Sequence, residues 1–207
     1  MKRKSAEKRL AILKAAFAVV SERGYSETKV EEIAQRAGVA KGTVYLYFRD
    51  KPAIYIGMVD WLLEQAMVIV AETAARPLSP RDKLAEILNA WSRGVLSNPA
   101  VLALLSTENV NQASTVMKRF RKHCLPHLQE MTSAIAAFIR QGVETGEFRP
   151  VEPRLAALMF AGAFRAAMLA VASRWPVKNP SATVQELFFH GMLAPAGPAR
   201  IKQKTGS

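Results

Sequence analysis

Lys41-Gly42-Thr43-Val44-Tyr45-Leu46-Tyr47 gathers an ammonium, a bare backbone position, a hydroxyl and two phenols within seven residues. On a helix, Val44 and Phe48 stand four residues apart and share one face. Lys41, Gly42, Thr43, Tyr45 and Tyr47 are therefore polar or aromatic where a core helix would be apolar. Such a face suits hydrogen bonds to an outside partner, and the unit that carries it on a short helix places that helix in the major groove of DNA. A second candidate set is His123-Cys124-x-x-His127, with two imidazoles one turn apart and a thiol beside them. That spacing admits a metal ion. Pro126 disturbs the helix there, Cys124 points elsewhere and no acidic partner stands nearby. A polar patch at a pocket mouth is the expected reading, with no metal and no cofactor.

The elements that must position the first set span residues 30–49. They read as two short helices hinged on a glycine. Ala34 is small enough for the second helix to approach closely. Gly38 supplies the positive φ that ends the first helix and turns the chain. Val44 packs the second helix back onto the first. Thr28-Lys-Val-Glu31 predicts a capping box, with the Thr28 hydroxyl on the Glu31 amide and the Glu31 carboxylate reaching back. Val30, Ile33, Ala34 and Ala37 give the apolar stripe of the first helix. The plain alternative is a helical hairpin inside a core, against which the polar content of the second helix weighs.

Charge agrees with a polyanionic partner. The 207 residues carry a formal net charge of +12. Residues 1–57 hold twelve Lys/Arg against six Asp/Glu, half of that excess on little more than a quarter of the chain. A membrane surface would attract the same charge, but no basic stripe runs along an apolar helix. Half of the residues are hydrophobic, enough to build a core. Lys14 interrupts the apolar run after Met1-Lys-Arg-Lys, which argues against an export signal. No uncharged apolar stretch reaches the ~18 residues of a membrane span. One cysteine, Cys124, suits a reducing compartment. A cytoplasmic protein with no membrane partner is expected. No nucleophile elbow, phosphate loop or paired acid–base constellation appears, so an enzyme is not expected.

Apolar spacing is helical almost throughout, and no strand alternation appears. Leu10, Leu13, Phe17 and Val20 mark a first helix stopped by Gly24. Asp50-Lys51-Pro52 opens a long helix to about Ala75, which Pro77 and Pro80 break. Further helices are predicted from near Arg81 to Ser97, from Asn98-Pro99, over 115–146 with Pro126 ending, kinking or restarting it, over 153–175, and from Ser181 to Leu193. The fold class is all-α with about nine helices. A three-helix helix-turn-helix domain with a basic arm occupies 1–52, a helical effector and dimerisation domain 53–194, and a disordered tail 195–207.

Residues 9–55 resemble the DNA-binding domain of the TetR/AcrR family of bacterial transcriptional regulators. The likeness rests on Arg9-Leu-Ala-Ile-Leu-Lys-Ala-Ala-Phe, on Arg23-Gly-Tyr25-Ser-Glu-Thr28 and above all on Val39-Ala-Lys-Gly-Thr-Val-Tyr-Leu-Tyr-Phe-Arg-Asp-Lys51. Beyond residue 60 it is architectural. The resemblance implies DNA contacts at Thr28, Lys41, Gly42, Thr43, Tyr45, Tyr47 and Lys51. Leu46 stands where a base-reading residue would be polar. It cannot hydrogen-bond, so sparse readout shared with DNA shape is expected. Lys2, Arg3 and Lys4 form either a flexible arm on the DNA or a solvated basic terminus.

The same resemblance implies an apolar or amphipathic small-molecule effector among the middle helices. Trp61, Trp91, His127, Met131, Phe164 and Met168 are the pocket candidates, each with plain core packing as the alternative. One helix-turn-helix buries too little for tight specific binding, so a homodimer on a palindromic double-stranded operator is expected. Leu158, Gly162 and Ala166 on the penultimate helix, with Leu187, Phe188 and Gly191 on the last, are its candidate interface, unless packing within one chain absorbs them. The expected function is a repressor released from its operator by the effector. An activator or a sequence-neutral DNA-binding protein is the alternative.

Overall fold

The computed structural model describes the backbone of residues 2–98, 101 and 113–190, and side chains from residue 4 in the first stretch and 118 in the last. Eight helices lie among the described residues, and no strand: α1 (Lys2–Glu27), α2 (Val30–Arg36), α3 (Lys41–Tyr47), α4 (Lys51–Ala74), α5 (Pro80–Leu96), α6 (Ala113–Glu144), α7 (Pro153–Ala172) and α8 (Pro180–His190). The chain is all-α, as its periodicity predicts. Of the expected helix from Asn98-Pro99 only Asn98 and Val101 are described, and the tail from 195 lies outside the described residues.

Local signals set most of the ends. Asp50 and Ser79 accept from the amides of Ala53 and Asp82, and a proline stands in the first turn after each. Gly38 (φ 66) and Gly146 (φ 75) end α2 and α6 in the left-handed region. At Gly38 the turn is a Schellman motif: the Gly38 amide reaches the Gln35 carbonyl (3.2 Å) and the Val39 amide that of Ala34 (3.0 Å). α1 breaks at Gly24, φ 75 and ψ 165, and resumes to Glu27.

Three expectations are corrected. The cap of α2 sits one residue later than predicted, at Lys29, whose amide donates to the Glu32 carboxylate at 3.5 Å. Thr28 does not cap, because it is buried and its hydroxyl closes the break in α1 by donating to the Gly24 carbonyl at 2.7 Å. α6 neither ends nor restarts at Pro126 but continues past it as one helix. A proline inside a helix costs about 3 kcal/mol, and the buried row of Cys124, Met131, Ile135 and Ile139 on either side holds the helix together. α7 stops at Ala172 instead of 175. Arg174 takes φ 60, and the Trp175 amide turns back onto the Ala170 carbonyl at 2.9 Å.

Two cores stack along the molecule. The first joins Ile12, Leu13, Phe17 and Val20 of α1 to Val30 and Ile33 of α2, Val44, Phe48, and Ile54 to Met58 of α4. Cys124 of α6 is buried in it, and Phe120 packs against it. The second gathers Val70, Leu84, Leu88, Trp91, Ile135, Ile139, Phe160 and Val184. α4 runs through both. By length and composition α4 and α7 are also apolar enough to cross a membrane; α4 is instead the spine between the two cores.

Candidate nucleic-acid interface and its connections

Seven residues cannot hold a helix by themselves in water, so α3 depends on its anchors. Val44 is fully buried and Phe48, just past the helix end, nearly so. Lys41, Gly42, Tyr45 and Leu46 are exposed, and Thr43 and Tyr47 half-buried. The division into an inward Val44/Phe48 pair and an outward polar and aromatic face is as the spacing predicts. Lys41 pairs with Glu31 of α2 and stands 5.9 Å from the centre of the Tyr45 ring. The hydrogen bond that the Lys41 ammonium donates to the Glu31 carboxylate holds it above its usual pKa. Tyr47 packs partly against the first core, so only part of its ring faces outward.

Two of the expected contacts serve the head from inside. Thr28 is 3 % exposed, with its hydroxyl on Gly24 and its amide on the Tyr25 carbonyl at 3.3 Å. Both donors are engaged within the head, so Thr28 has a structural role there. Lys51 donates to the Ser26 carbonyl at 2.8 Å and lies 4.7 Å from the centre of the Tyr25 ring. Burial lowers its pKa. Its ammonium closes α4 onto the end of α1 and retains two further donors.

The site extends to a residue that no sequence signal marks. Arg119 of α6 grips Asp50 with both guanidinium arms, Nη1 to Oδ1 at 2.6 Å and Nη2 to Oδ2 at 2.9 Å. The Arg119 side chain is only 16 % exposed. Arg49, at the end of the α3 turn, donates to the same carboxylate at 3.2 Å. Asp50 therefore caps α4, receives α6 and borders the outward-facing helix at once. The Arg119 guanidinium, ahead of the Ala53 amide and Arg49, brings its carboxyl down to about 2. A forked arginine–carboxylate pair fixes orientation as well as distance.

The expected effector residues divide between the two cores. Trp91, Met131 and Phe164 converge in the second, where the Trp91 and Phe164 rings are 5.4 Å apart and Phe160 lies 6.1 Å from Trp91. Met168 is fully buried. Trp61 belongs instead to the first core, 5.5 Å from Phe17. His127 faces α4, its Nδ1 3.1 Å from Asp60 Oδ1, and among the described residues neither of these buried atoms has a hydrogen-bond partner. Asp60 is thus the acidic neighbour that the sequence did not reveal beside His127. His123 is exposed while Cys124 is buried, and burial, with the Asp60 charge behind it, pushes the thiol up to about 12. Grooves of about 350 Å³ between α1 and α2 and about 390 Å³ between α5 and α8 contain none of the six effector candidates.

Of the dimer candidates, Leu158 (57 % exposed), Gly162, Ala166 and Leu187 (49 %) face outward. Leu155 and Met159 widen the same apolar side of α7. Phe188 is a correction: it turns inward, edge-on to Phe160 at 5.3 Å, because α8 packs its own apolar side against α7. Gly191 lies outside the described residues.

Comparison with known proteins agrees with this layout. Residues 12–58 match the family described as bacterial regulatory proteins, tetR family, and residues 80–204 match the tetracyclin repressor-like C-terminal domain. The chain is 28% identical over 156 residues to the fatty acid metabolism regulator protein of Bacillus subtilis, covering 75% of this chain and 78% of that one. It is 24% identical over 147 residues to the transcriptional regulator RutR of Escherichia coli K12, covering 71% and 67%. The crystal structure of FadR from Bacillus subtilis in complex with stearoyl-CoA superposes with a TM-score of 0.75 at 23% identity, over 89% of this chain and 99% of that one. FadR from Bacillus halodurans follows at 0.74 and 22%, over 88% and 94%.

Proposed function

The chain belongs to the tetR family of bacterial regulatory proteins, DNA-binding transcriptional regulators, and on that premise we propose a homodimeric cytoplasmic repressor released from a palindromic operator by a long-chain acyl thioester. Residues 1–52 read the duplex, and 53–194 hold the effector and dimer surfaces. The observation that carries the reading is α3: a helix anchored by Val44 and Phe48, with Lys41, Thr43, Tyr45 and part of Tyr47 on the outward side, where they can meet backbone and bases. Paired α3 helices must sit about 34 Å apart, one turn of the duplex, to enter successive major grooves. The apolar side of α7 with Leu187 of α8 supplies the pairing surface.

The effector class follows from the likeness to the fatty acid metabolism regulator and from the apolar second core of Trp91, Phe160, Phe164 and Phe188. An acyl chain enters by parting the Trp91–Phe164 contact, which displaces α6 against α4. Arg119 carries that displacement to Asp50 and so to the start of α4 and the end of α3. An effector that favours the wrong α3 separation then releases the DNA.

The test is release of a labelled duplex, enriched by the full-length protein from a random pool, on titration with stearoyl-CoA. Release by stearoyl-CoA and not by coenzyme A alone is expected. Equal binding with and without stearoyl-CoA removes the effector assignment and leaves the DNA reading in place.

A further inference from the structure

The outermost ridge of α3 carries one side chain, and it is apolar. An α-helix advances about 100° per residue, so the positions two before and two after a buried residue lie almost opposite it. Val44 is fully buried, which puts Gly42 and Leu46 on the side facing away from the protein. Gly42 has no side chain, and a Cβ there would have nothing within 4 Å. Leu46 is 84 % exposed, the highest value among the large apolar residues described. It does nothing for the packing of the head.

We propose that Leu46 is a specificity-determining residue that reads the 5-methyl group of a thymine in the operator. This rests on the duplex-reading function proposed above. Whichever side chain stands opposite the anchor reaches furthest into the groove. Among base edges in the major groove, the thymine methyl is the apolar feature; the rest of the edge is donors and acceptors. A leucine tip against the cytosine amino group or the guanine carbonyl would strip water from a polar group and return no hydrogen bond, which costs affinity. Against a thymine methyl it buries carbon on carbon. Gly42, one turn earlier, lets the backbone come close enough for that contact. Leu46 thus selects T·A pairs by attraction and rejects the others by desolvation.

The experiment uses full-length protein and a duplex it has enriched from a random-sequence pool. Each thymine of one half-site is replaced in turn by deoxyuridine, which removes the methyl and keeps the pairing. Wild-type protein should lose about 3- to 10-fold in affinity at one position, the loss expected from exposing methyl-sized apolar surface. Leu46→Ala should bind the parent duplex more weakly and be indifferent to uracil at that position. Its unfolding midpoint should match the wild type, since an exposed side chain is removed. Indifference of the wild type to uracil everywhere, or an undiminished uracil penalty in Leu46→Ala, overturns this inference alone. A pool that enriches no sequence overturns the duplex-reading premise and this inference with it.

Discussion

A methyl group added at Gly57 would meet Phe48 Cε1 at 2.7 Å and Leu13 Cδ2 at 3.3 Å. Glycine is there so that α4 can lie against α1 and against the ring that anchors the end of α3. Gly57→Ala gains helix propensity of up to about 1 kcal/mol, yet overpacking costs about 1–3 kcal/mol. A lower denaturation midpoint is expected in urea, with weakened DNA binding because Phe48 must move; a raised midpoint contradicts the packing described. Gly38 acts through the backbone instead, since a Cβ there meets nothing within 4 Å. Its φ of 66 makes Gly38→Ala costly by about 1–2 kcal/mol, and Gly38→Asn should recover part of the loss.

At the scale of elements, α4 is the lever and Asp50 its fixed end. Arg119→Gln removes the fork while leaving the Ala53 amide cap, so the start of α4 should fray. Faster hydrogen exchange at the Ala53 and Ile54 amides, both bonded to Asp50, is the expected readout; unchanged exchange would show that the fork does not hold the helix. Acid supplies a second check. The Asp50 pKa is depressed to about 2, so its contribution to stability is fully present above the ordinary carboxylate value near 4. It is lost as pH falls through about 2. Arg119→Gln should flatten that part of the stability–pH curve between about pH 4 and about pH 2.

Much of this element level was legible in the chain. Asp50, Pro52, Pro80 and Gly38 act within a few residues of themselves, and helix ends are local events. Ser79, which caps α5, is equally local, but the start expected near Arg81 passes over it. Val44 and Phe48 announce their face by spacing alone. The Arg119–Asp50 fork joins residues 69 apart, and nothing local to either betrays the other. Thr28 looked like a cap because Gly24 reads as a clean stop; the break and resumption of α1 buries it instead. Trp61 and Trp91 looked alike, yet α4 passes through two cores and delivers them to different ones. Asp60 meets His127 only because α4 packs on α6.

For the whole molecule, the apolar side of α7 leaves several large side chains in water. Leu155, Leu158 and Met159 stand exposed beside Gly162 and Ala166, an arrangement suited to close approach of another helix. Leu158→Glu combined with Leu187→Glu should give a monomer in sedimentation at micromolar concentration, with unfolding little changed because both side chains are exposed. A variant that still sediments as a dimer would move the interface elsewhere. Such a monomer should also lose operator binding, since one α3 contacts only one half-site.

The central claim is that the α3 face reads sequence in duplex DNA. Its most direct test is the affinity of full-length protein for an enriched duplex against a scrambled duplex of equal composition, measured in competition at one moderate salt concentration. Preference for the enriched duplex by about 10³ or more is expected of specific recognition. Equal affinity for the two would contradict the claim and leave a sequence-neutral DNA-coating protein.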